Sequence, residues 1–270
     1  VLGVKILATM ATAGLGKVAN PREEMAPFIE LARDNRLWLG FIVAAIMAAR
    51  DHINMETYIF EDDDVGQRFA EALIAKQQAG VQVNLIRDSV GTMTTPVEFF
   101  TRLAEAGINV LEFNPVNPLD TVAAGWDVNE RDHRKLLVVD GKVAFLGGIN
   151  ISSVYSGGSF RQSSKVRPDG TLPWRDTDLQ IEGPAVTEVQ KLFMETWEKQ
   201  KGEPLAPRNY FPAPDPAGKE VVRIIGSSPD EPYSLIYATL ISALRSAETE
   251  IWITNAYFVP DPQLVTALEE

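Results

Sequence analysis

A histidine and a lysine separated by one residue, His133 and Lys135, are the side chains of this sequence best suited to chemistry. Residues 134–139 are mostly apolar and precede the turn pair at 140–141, so we predict a strand that enters a hairpin. Side chains two residues apart on a strand share a face, so the imidazole and the ammonium should enter one pocket. A neutral histidine can attack phosphorus or transfer a proton, and a neighbouring lysine stabilises negative charge on phosphoryl oxygens.

The returning strand of this hairpin should bring Gly147, Gly148 and Asn150 to the same edge. Two glycines allow the backbone to approach a ligand closely, and the asparagine supplies an amide donor. Asp140 lies at the turn and on the opposite strand face from His133, so we predict that it accepts hydrogen bonds near the turn. These groups together suit a phosphoryl oxygen, and the chemistry requires no metal or other cofactor.

Helix and strand patterns alternate through the first two thirds of the chain, which predicts an α/β fold with a mostly parallel or mixed central sheet. The predicted helices are residues 41–51, 66–78, 97–106 and 186–200. The predicted strands outside the hairpin are residues 53–60, 81–87, 110–113 and 179–181. Residues 154–172 are rich in Ser, Gly, Arg and Lys without periodicity, so we expect a long surface loop.

The C-terminal part of the chain repeats the pattern of the first part. Residues 241–245 echo residues 46–50, and residues 255–258 echo residues 56–59, which predicts a duplicated domain whose second copy is incomplete. The predicted domains are an N-terminal extension (1–36), a first domain (37–203), a proline-rich linker (204–220) and the start of a second domain (221–270).

The charge balance and the absence of cysteine restrict the function classes. The chain has 37 acidic and 25 basic residues, a formal net charge of -12, so we expect no nucleic-acid partner. An anionic substrate then needs a local basic pocket, to which Arg175 could contribute. Without cysteine there is no thiolate nucleophile and no thiolate metal site. The acidic residues 61–64 precede a predicted helix and are more typical of caps than of a metal site.

The longest apolar stretch, residues 37–49, is shorter than the roughly 18 residues that a membrane-spanning helix needs. Arg36 and Arg50 bracket it. We therefore predict a buried helix here.

The spacing His-x-Lys, four residues, Asp, six residues, Gly-Gly-x-Asn resembles the HKD motif of the phospholipase D superfamily. Further segments resemble bacterial cardiolipin synthases, namely residues 56–60, 88–91, 147–151, 174–177 and 181–185. The resemblance runs from about residue 40 to the end of the sequence. The resemblance implies the α/β/α sandwich of that superfamily.

The resemblance also implies roles for individual residues. His133 would be the nucleophile, Lys135 and Asn150 the phosphate ligands, and Asp176 the carboxylate that orients the imidazole, with Asp178 as the alternative. From their positions in the sequence we also predict that Gly147, Gly148 and Arg175 contact substrate.

In that family two HKD copies face each other across one site, and the second histidine protonates the leaving alcohol. A second motif is not among these 270 residues. The resemblance therefore implies a second half, either in the same parent chain or from a homodimer partner.

The function expected from this resemblance is that of a phosphatidyltransferase, working through a covalent phosphatidyl-histidine. Its substrates would be phosphatidylglycerol or a similar phospholipid and an alcohol acceptor. The protein would act at a membrane surface, that of the bacterial inner membrane, either peripherally or anchored by segments outside this chain. The alternatives are a phospholipase D-type hydrolase, a phosphodiesterase acting on nucleic acid, and an inactive half-site fragment.

Overall fold

The computed structural model describes residues 5–7, 35–115, 131–155, 176–215, 217–218, 221–227, 233–255 and 258–270. The chain divides into two compact units. The larger unit is Met25–Ile224, and the smaller one combines Val1–Glu24 with Ile225–Glu270. Residues 156–172 of the predicted surface loop, and Arg175, lie outside the described residues, whereas Val154 and Tyr155 at the start of that loop belong to a short 3-10 helix.

The larger unit is built on a six-stranded mixed sheet. Its strands are β2 (His52–Thr57), β3 (Gln82–Asp88), β4 (Asn109–Phe113), β5 (Leu136–Val139), β6 (Val143–Gly147) and β7 (Asp178–Glu182). Their order in the sheet is β4-β3-β2-β5-β6-β7. The strands β2, β3 and β4 are parallel to one another, whereas β5 pairs antiparallel with β2, and β6 and β7 continue the sheet by antiparallel pairing. The predicted α/β class with a mixed sheet is confirmed.

Helices cover both faces of this sheet, which makes three layers. The helices α1 (Asn35–Ala48), α2 (Asp64–Gln78) and α3 (Val97–Glu105) pack on one face, and α4 (Ala185–Lys199) packs on the other. Alternation along β5 divides its side chains between the two cores, since Leu137 and Val139 face the first group of helices and Leu136 and Val138 face α4. Both faces of β2 are therefore buried, including its polar residues His52, Asn54 and Glu56.

The loop before α2 confirms the interpretation of the acidic segment as a helix cap. The carboxylate of Asp63 accepts hydrogen bonds from the backbone N–H groups of Val65 and Gly66, at 3.0 and 2.9 Å. Those N–H groups have no partner within the helix, so the carboxylate satisfies them and also complements the positive end of the helix.

The helix α1 matches the apolar stretch that was predicted to be a buried helix. One side of it, including Leu39, Ile42 and Ile46, is buried in the core. The other side leaves Phe41 and Met47 about half exposed, at 46% and 50%. Among the described residues no helix is both long and apolar enough to cross a membrane.

Residues 204–212, here called the strap, lie against the end of the sheet where β2 begins. Arg208 donates a hydrogen bond to the carbonyl of Gly80 at 3.2 Å, and Asn209 donates its N–H to the carboxylate of Asp51 at 3.1 Å. The ring of Tyr210 packs on His52 with centroids 4.7 Å apart. The segment predicted to be a linker thus begins with residues that contact the larger unit.

In the smaller unit a strand β1 (Lys5–Leu7) pairs antiparallel with β8 (Trp252–Thr254). The helices α5 (Leu235–Arg245) and α6 (Pro262–Glu269) pack together through Leu240, Ile241, Leu244, Leu264 and Ala267. The order of α5 and β8 is the same as that of α1 and β2. The duplication itself remains a prediction.

Candidate active site

The segment 131–135 carries the two residues with which the sequence analysis began, and hydrogen bonds hold its backbone. It lies just before β5, so His133 and Lys135 precede the strand instead of lying within it. The N–H of Asp132 donates to the carboxylate of Asp88 at 3.0 Å, and Asp132 in turn accepts the N–H of Arg134 at 3.0 Å. The backbone on both sides of His133 is therefore fixed.

Lys135 is almost fully buried, with 9% of its surface exposed. Its Nζ donates a hydrogen bond to the carbonyl of His133 at 2.7 Å and lies 5.2 Å from the centroid of the Tyr58 ring. Burial lowers the pKa of Lys135 to about 8, although the carboxylates of Asp132, Asp178 and Asp88 act in the opposite direction. The ammonium is thus charged at neutral pH but only moderately stabilised by its surroundings, which suits it to receive an anionic ligand.

His133 reaches solvent at the edge of the site, and its ring packs on Tyr58 with centroids 4.6 Å apart. Burial, followed by the positive charge of Lys135, lowers the pKa of His133 to about 4, while Asp132 acts in the opposite direction. The imidazole is therefore neutral at physiological pH. A neutral imidazole keeps a lone pair for attack on phosphorus, which a protonated one lacks.

The glycine pair after β6 leaves room for two carboxylates. A Cβ on Gly147 would collide with the carboxylate of Asp178 and lie 2.5 Å from its Cα, and a Cβ on Gly148 would collide with the carboxylate of Asp176. The carboxylate of Asp178 accepts the N–H of Ile149 at 3.1 Å and lies close enough to Lys135 to raise its pKa. The glycines thus leave room for protein carboxylates, and the ligand approach predicted from the sequence stays a prediction.

Asn150 is buried and held on both sides of its amide. Its Oδ1 accepts the N–H of Ile59 at 3.2 Å, and its Nδ2 donates to the hydroxyl of Tyr155 at 2.8 Å. A small cavity of about 40 Å³ adjoins Asn150, Lys135 and Asp178. Its remaining lining is mainly apolar and includes Leu39, Ile42, Met55 and Phe69.

Asp140 lies at the opposite end of β5 from these groups. Its carboxylate accepts hydrogen bonds from the backbone N–H groups of Arg50, Asp51 and His52, at 2.8 to 3.1 Å. It therefore ties the β5–β6 turn to the start of β2, and the structure does not bring it to His133. Its own backbone has a φ of 53°, a conformation that aspartate tolerates better than most residues.

Three residues of this region were not singled out from the sequence as parts of the site: Tyr58, Asp88 and Asp132. Tyr58 directly follows β2, Asp88 is the last residue of β3 and Asp132 directly precedes His133; polar residues at strand ends are a signal for a site. The carboxylate of Asp88 accepts the N–H groups of Val90 and Gly91 as well as that of Asp132. It thus connects the loop that packs on Tyr58 to the segment that carries His133.

Sequence comparisons show that the chain belongs to the phospholipase D superfamily. Residues 42–156 match the family model described as "Cardiolipin synthase, PLD-like domain". Cardiolipin synthase 1 of Bacillus anthracis is 34% identical over 238 residues, which are 84% of this chain and 44% of that protein. The major cardiolipin synthase of Bacillus subtilis is 32% identical over 244 residues, 89% of this chain and 48% of that protein. The chain thus spans about half the length of these curated relatives.

Two solved structures are also similar. A phospholipase D family member, Nuc from Salmonella typhimurium, has a TM-score of 0.41 at 18% identity. The match covers 58% of this chain and 85% of the Nuc chain. NucT from Helicobacter pylori has a TM-score of 0.40 at 14% identity, and the match covers 73% of this chain and 95% of the NucT chain.

The close approach at Gly147 leads to a stability prediction. We expect Gly147→Ala to lower the free energy of unfolding by about 1–3 kcal/mol, because the new methyl group would meet the backbone and carboxylate of Asp178. Urea denaturation followed by circular dichroism measures this loss. Gly40→Ala is the matched control, since a Cβ there has no neighbour within 4 Å and alanine favours the helix. Equal stability of the two variants would show that Asp178 does not occupy the space beside Gly147.

Proposed function

We propose that the protein is a phospholipid phosphatidyltransferase of the cardiolipin synthase kind, with His133 as its nucleophile. The observation that carries this proposal is that the buried Lys135 ammonium donates a hydrogen bond to the backbone carbonyl of His133 and lies close enough to add to the effect of burial in lowering the pKa of its imidazole. The similarity to curated cardiolipin synthases supports a phospholipid substrate, such as phosphatidylglycerol, and an alcohol as acceptor.

In the proposed first step a ring nitrogen of His133 attacks phosphorus. The bond from phosphorus to the oxygen of the departing alcohol breaks, and that oxygen takes a proton from an acid in the second half of the site. Lys135 and the amide of Asn150 stabilise the charge that grows on the non-bridging oxygens. The product is a phosphatidyl group bonded to His133.

In the second step the acceptor alcohol attacks the same phosphorus and the bond to His133 breaks. The proton of the acceptor passes to the group that protonated the leaving alcohol, so the site returns to its starting state. Asp176 or Asp178 would hold the imidazole in one orientation during both steps. If water took the place of the acceptor, the product would be phosphatidic acid.

The acid of the second half is proposed to come from outside these residues. The only other histidine in the sequence is His52, which is fully buried at the far end of β2 beneath Tyr210. The second half would belong to the same longer polypeptide, or to a partner in a homodimer. We also propose that the protein works at a membrane surface, where a phospholipid substrate resides.

The test uses the full-length protein and phosphatidylglycerol labelled both in its acyl chains and in its head-group glycerol, with lipid products separated. Cardiolipin with release of free glycerol supports the transferase. Phosphatidic acid as the only lipid product would reduce the function to that of a hydrolase. No lipid turnover, together with cleavage of DNA, would overturn the proposal in favour of a nuclease.

The two shifted pKa values predict a bell-shaped pH profile for kcat/KM. His133 must be neutral to attack, so activity should rise as the pH increases through about 4. Lys135 must be protonated to stabilise the phosphoryl oxygens, so activity should fall as the pH increases through about 8. In Lys135→Arg the alkaline fall should disappear from the accessible range, because arginine stays charged. An alkaline fall at the same pH in both proteins would assign it to another group.

A further inference from the structure

A pair of carboxyl groups is buried next to the segment that carries His133, and the proposed mechanism does not use it. Glu56, in the central strand β2, is 1% exposed, and Asp132 is 5% exposed. Glu56 lies in register with Ile86 on one side and Leu136 on the other, both of which face α4. The pair thus lies on the α4 side of the sheet, at the end of β2 that leads to the site.

Each member of this pair has one carboxyl oxygen that accepts no hydrogen bond from the described residues. Glu56 Oε2 and Asp132 Oδ2 are buried, and no group in the described part of the chain donates a hydrogen bond to either. The carboxyl group of Asp132 is close enough to that of Glu56 for a side-chain interaction that adds to the effect of burial in raising the pKa of Glu56. Two ionised carboxylates cannot donate a hydrogen bond to each other, so a bond between them requires one proton. A single shared proton would satisfy both oxygens.

The charges around the pair favour Glu56 as the protonated member. Burial, followed by the charge of Asp132, raises the pKa of Glu56 well above its usual range. The opposing cation, Arg134, is 3.5 Å from Glu56 and donates a shorter bond of 2.6 Å to Thr196 of α4. The charged residues of α4 are exposed, so the face of this helix that packs on the sheet carries apolar and neutral polar side chains and no charged one. The remaining charged neighbours are Asp88, Arg131 and Lys135.

Asp132 links this pair to His133. Its backbone N–H and one carboxylate oxygen hold the chain on either side of the histidine, through Asp88 and Arg134. Its negative charge is also the one that opposes the effect of Lys135 on the imidazole. Moving this carboxylate would therefore change both the position and the proton affinity of His133.

We propose that Glu56 and Asp132 share one proton and act as positioning residues for His133, with Glu56 as the hydrogen-bond donor and Asp132 as the anion. The donor fixes the Asp132 carboxylate where it can hold the backbone of residues 131–134. The anion offsets the charge of Lys135 at the imidazole. The positioning role of this pair rests on the proposed function of His133. The shared proton itself does not depend on that function.

Histidine-selective NMR tests the pair without turnover, since the chain has only two histidines. His133→Gln assigns the signals. Glu56→Gln should leave the titration of His133 unchanged, because an amide replaces a neutral acid and can still donate to Asp132. Asp132→Asn should shift that titration to lower pH, because the anion beside the imidazole is gone. If Glu56→Gln shifted the titration as far as Asp132→Asn does, Glu56 would be ionised and the proposal overturned; no shift in either variant would also overturn it.

A second measurement needs no substitution. At neutral pH the infrared spectrum of the wild-type protein should contain the C=O band of a protonated carboxylic acid. That band should shift to lower frequency when the protein is made with ¹³C-labelled glutamate. Absence of that band would contradict a protonated Glu56.

Activity then separates positioning from packing. Glu56→Leu should lower kcat/KM of the full-length protein by up to about 100-fold, through displacement of His133, and Glu56→Gln should restore much of it. Asn54→Leu, two residues earlier on the same buried face, is the control and should keep wild-type kcat/KM per folded molecule. Equal losses in Glu56→Leu and Asn54→Leu would reduce Glu56 to a packing role. If the NMR and infrared results hold but no variant affects turnover, the positioning role fails and the shared proton stands, whereas absence of phosphatidyl transfer by the wild-type protein would count against the proposed function alone.

Discussion

His133→Ala in the full-length protein should abolish phosphatidyl transfer, with a loss of about 10⁴-fold or more in kcat. The proposed reaction forms a bond from phosphorus to this imidazole, and no other histidine of the chain can replace it. His52, the only other one, is fully buried and lies at the opposite end of β2. Acid quenching with lipid labelled in its acyl chains should trap label on the wild-type protein and none on His133→Ala.

The matched control for this variant is His52→Gln. It removes the other imidazole, and its effect should be on stability, because His52 packs against Tyr210 and pairs with Asp51 at 2.9 Å. Turnover per folded molecule should therefore stay near the wild-type level. Trapped label on His133→Ala would show that the covalent bond forms elsewhere, and it would contradict the assignment of His133 as nucleophile.

Lys135→Met should lower kcat by about 10²–10³-fold while the fold is retained. The ammonium is buried and donates a hydrogen bond to the backbone carbonyl of His133, and its interaction with the phosphoryl oxygens should strengthen as negative charge builds on them. Methionine has a similar length and can occupy the same apolar surroundings, so the loss should appear in turnover more than in thermal stability. Steady-state kinetics and thermal denaturation of the same preparations distinguish the two effects.

Lys142→Met provides the comparison for that variant. Lys142 is on the same hairpin, at its exposed turn. Its replacement removes the same charge from the chain, but at a distance from His133. If both variants lost activity equally, the effect would come from net charge and not from a local contact with phosphate.

The hairpin and the residues it carries could be predicted from the sequence because their signals are local. The turn pair at 140–141 fixes the register, and the spacing of His133 from Lys135 and of Gly147 from Asn150 then brings these residues to one edge. The helix cap at Asp63 is also a local signal. In each case the residues that interact are close in sequence or joined by a short turn.

The carboxyl pair could not be predicted in the same way. Polar residues alternate with apolar ones along residues 52–57, a pattern typical of a strand with one solvated face. The structure covers that face with α4, a helix more than 120 residues further along the chain, and so buries Glu56. The partner of Glu56 is 76 residues away in sequence, and only the pairing of β2 with β5 brings the two together. Whether Asp176 or Asp178 orients His133 likewise depends on tertiary approach, at Gly148 and Gly147.

The strap has a practical consequence for how the larger unit can be separated from the rest of the chain. A polypeptide ended at residue 203 would lose Tyr210 from above His52, and the buried polar row that begins there would face water. Amide hydrogens at the start of β2 and β3 should then exchange faster with solvent, and proteases should gain access to the turn at residue 141, against which Pro212 now packs. An expression boundary chosen beyond Pro212 would keep that end of the sheet closed.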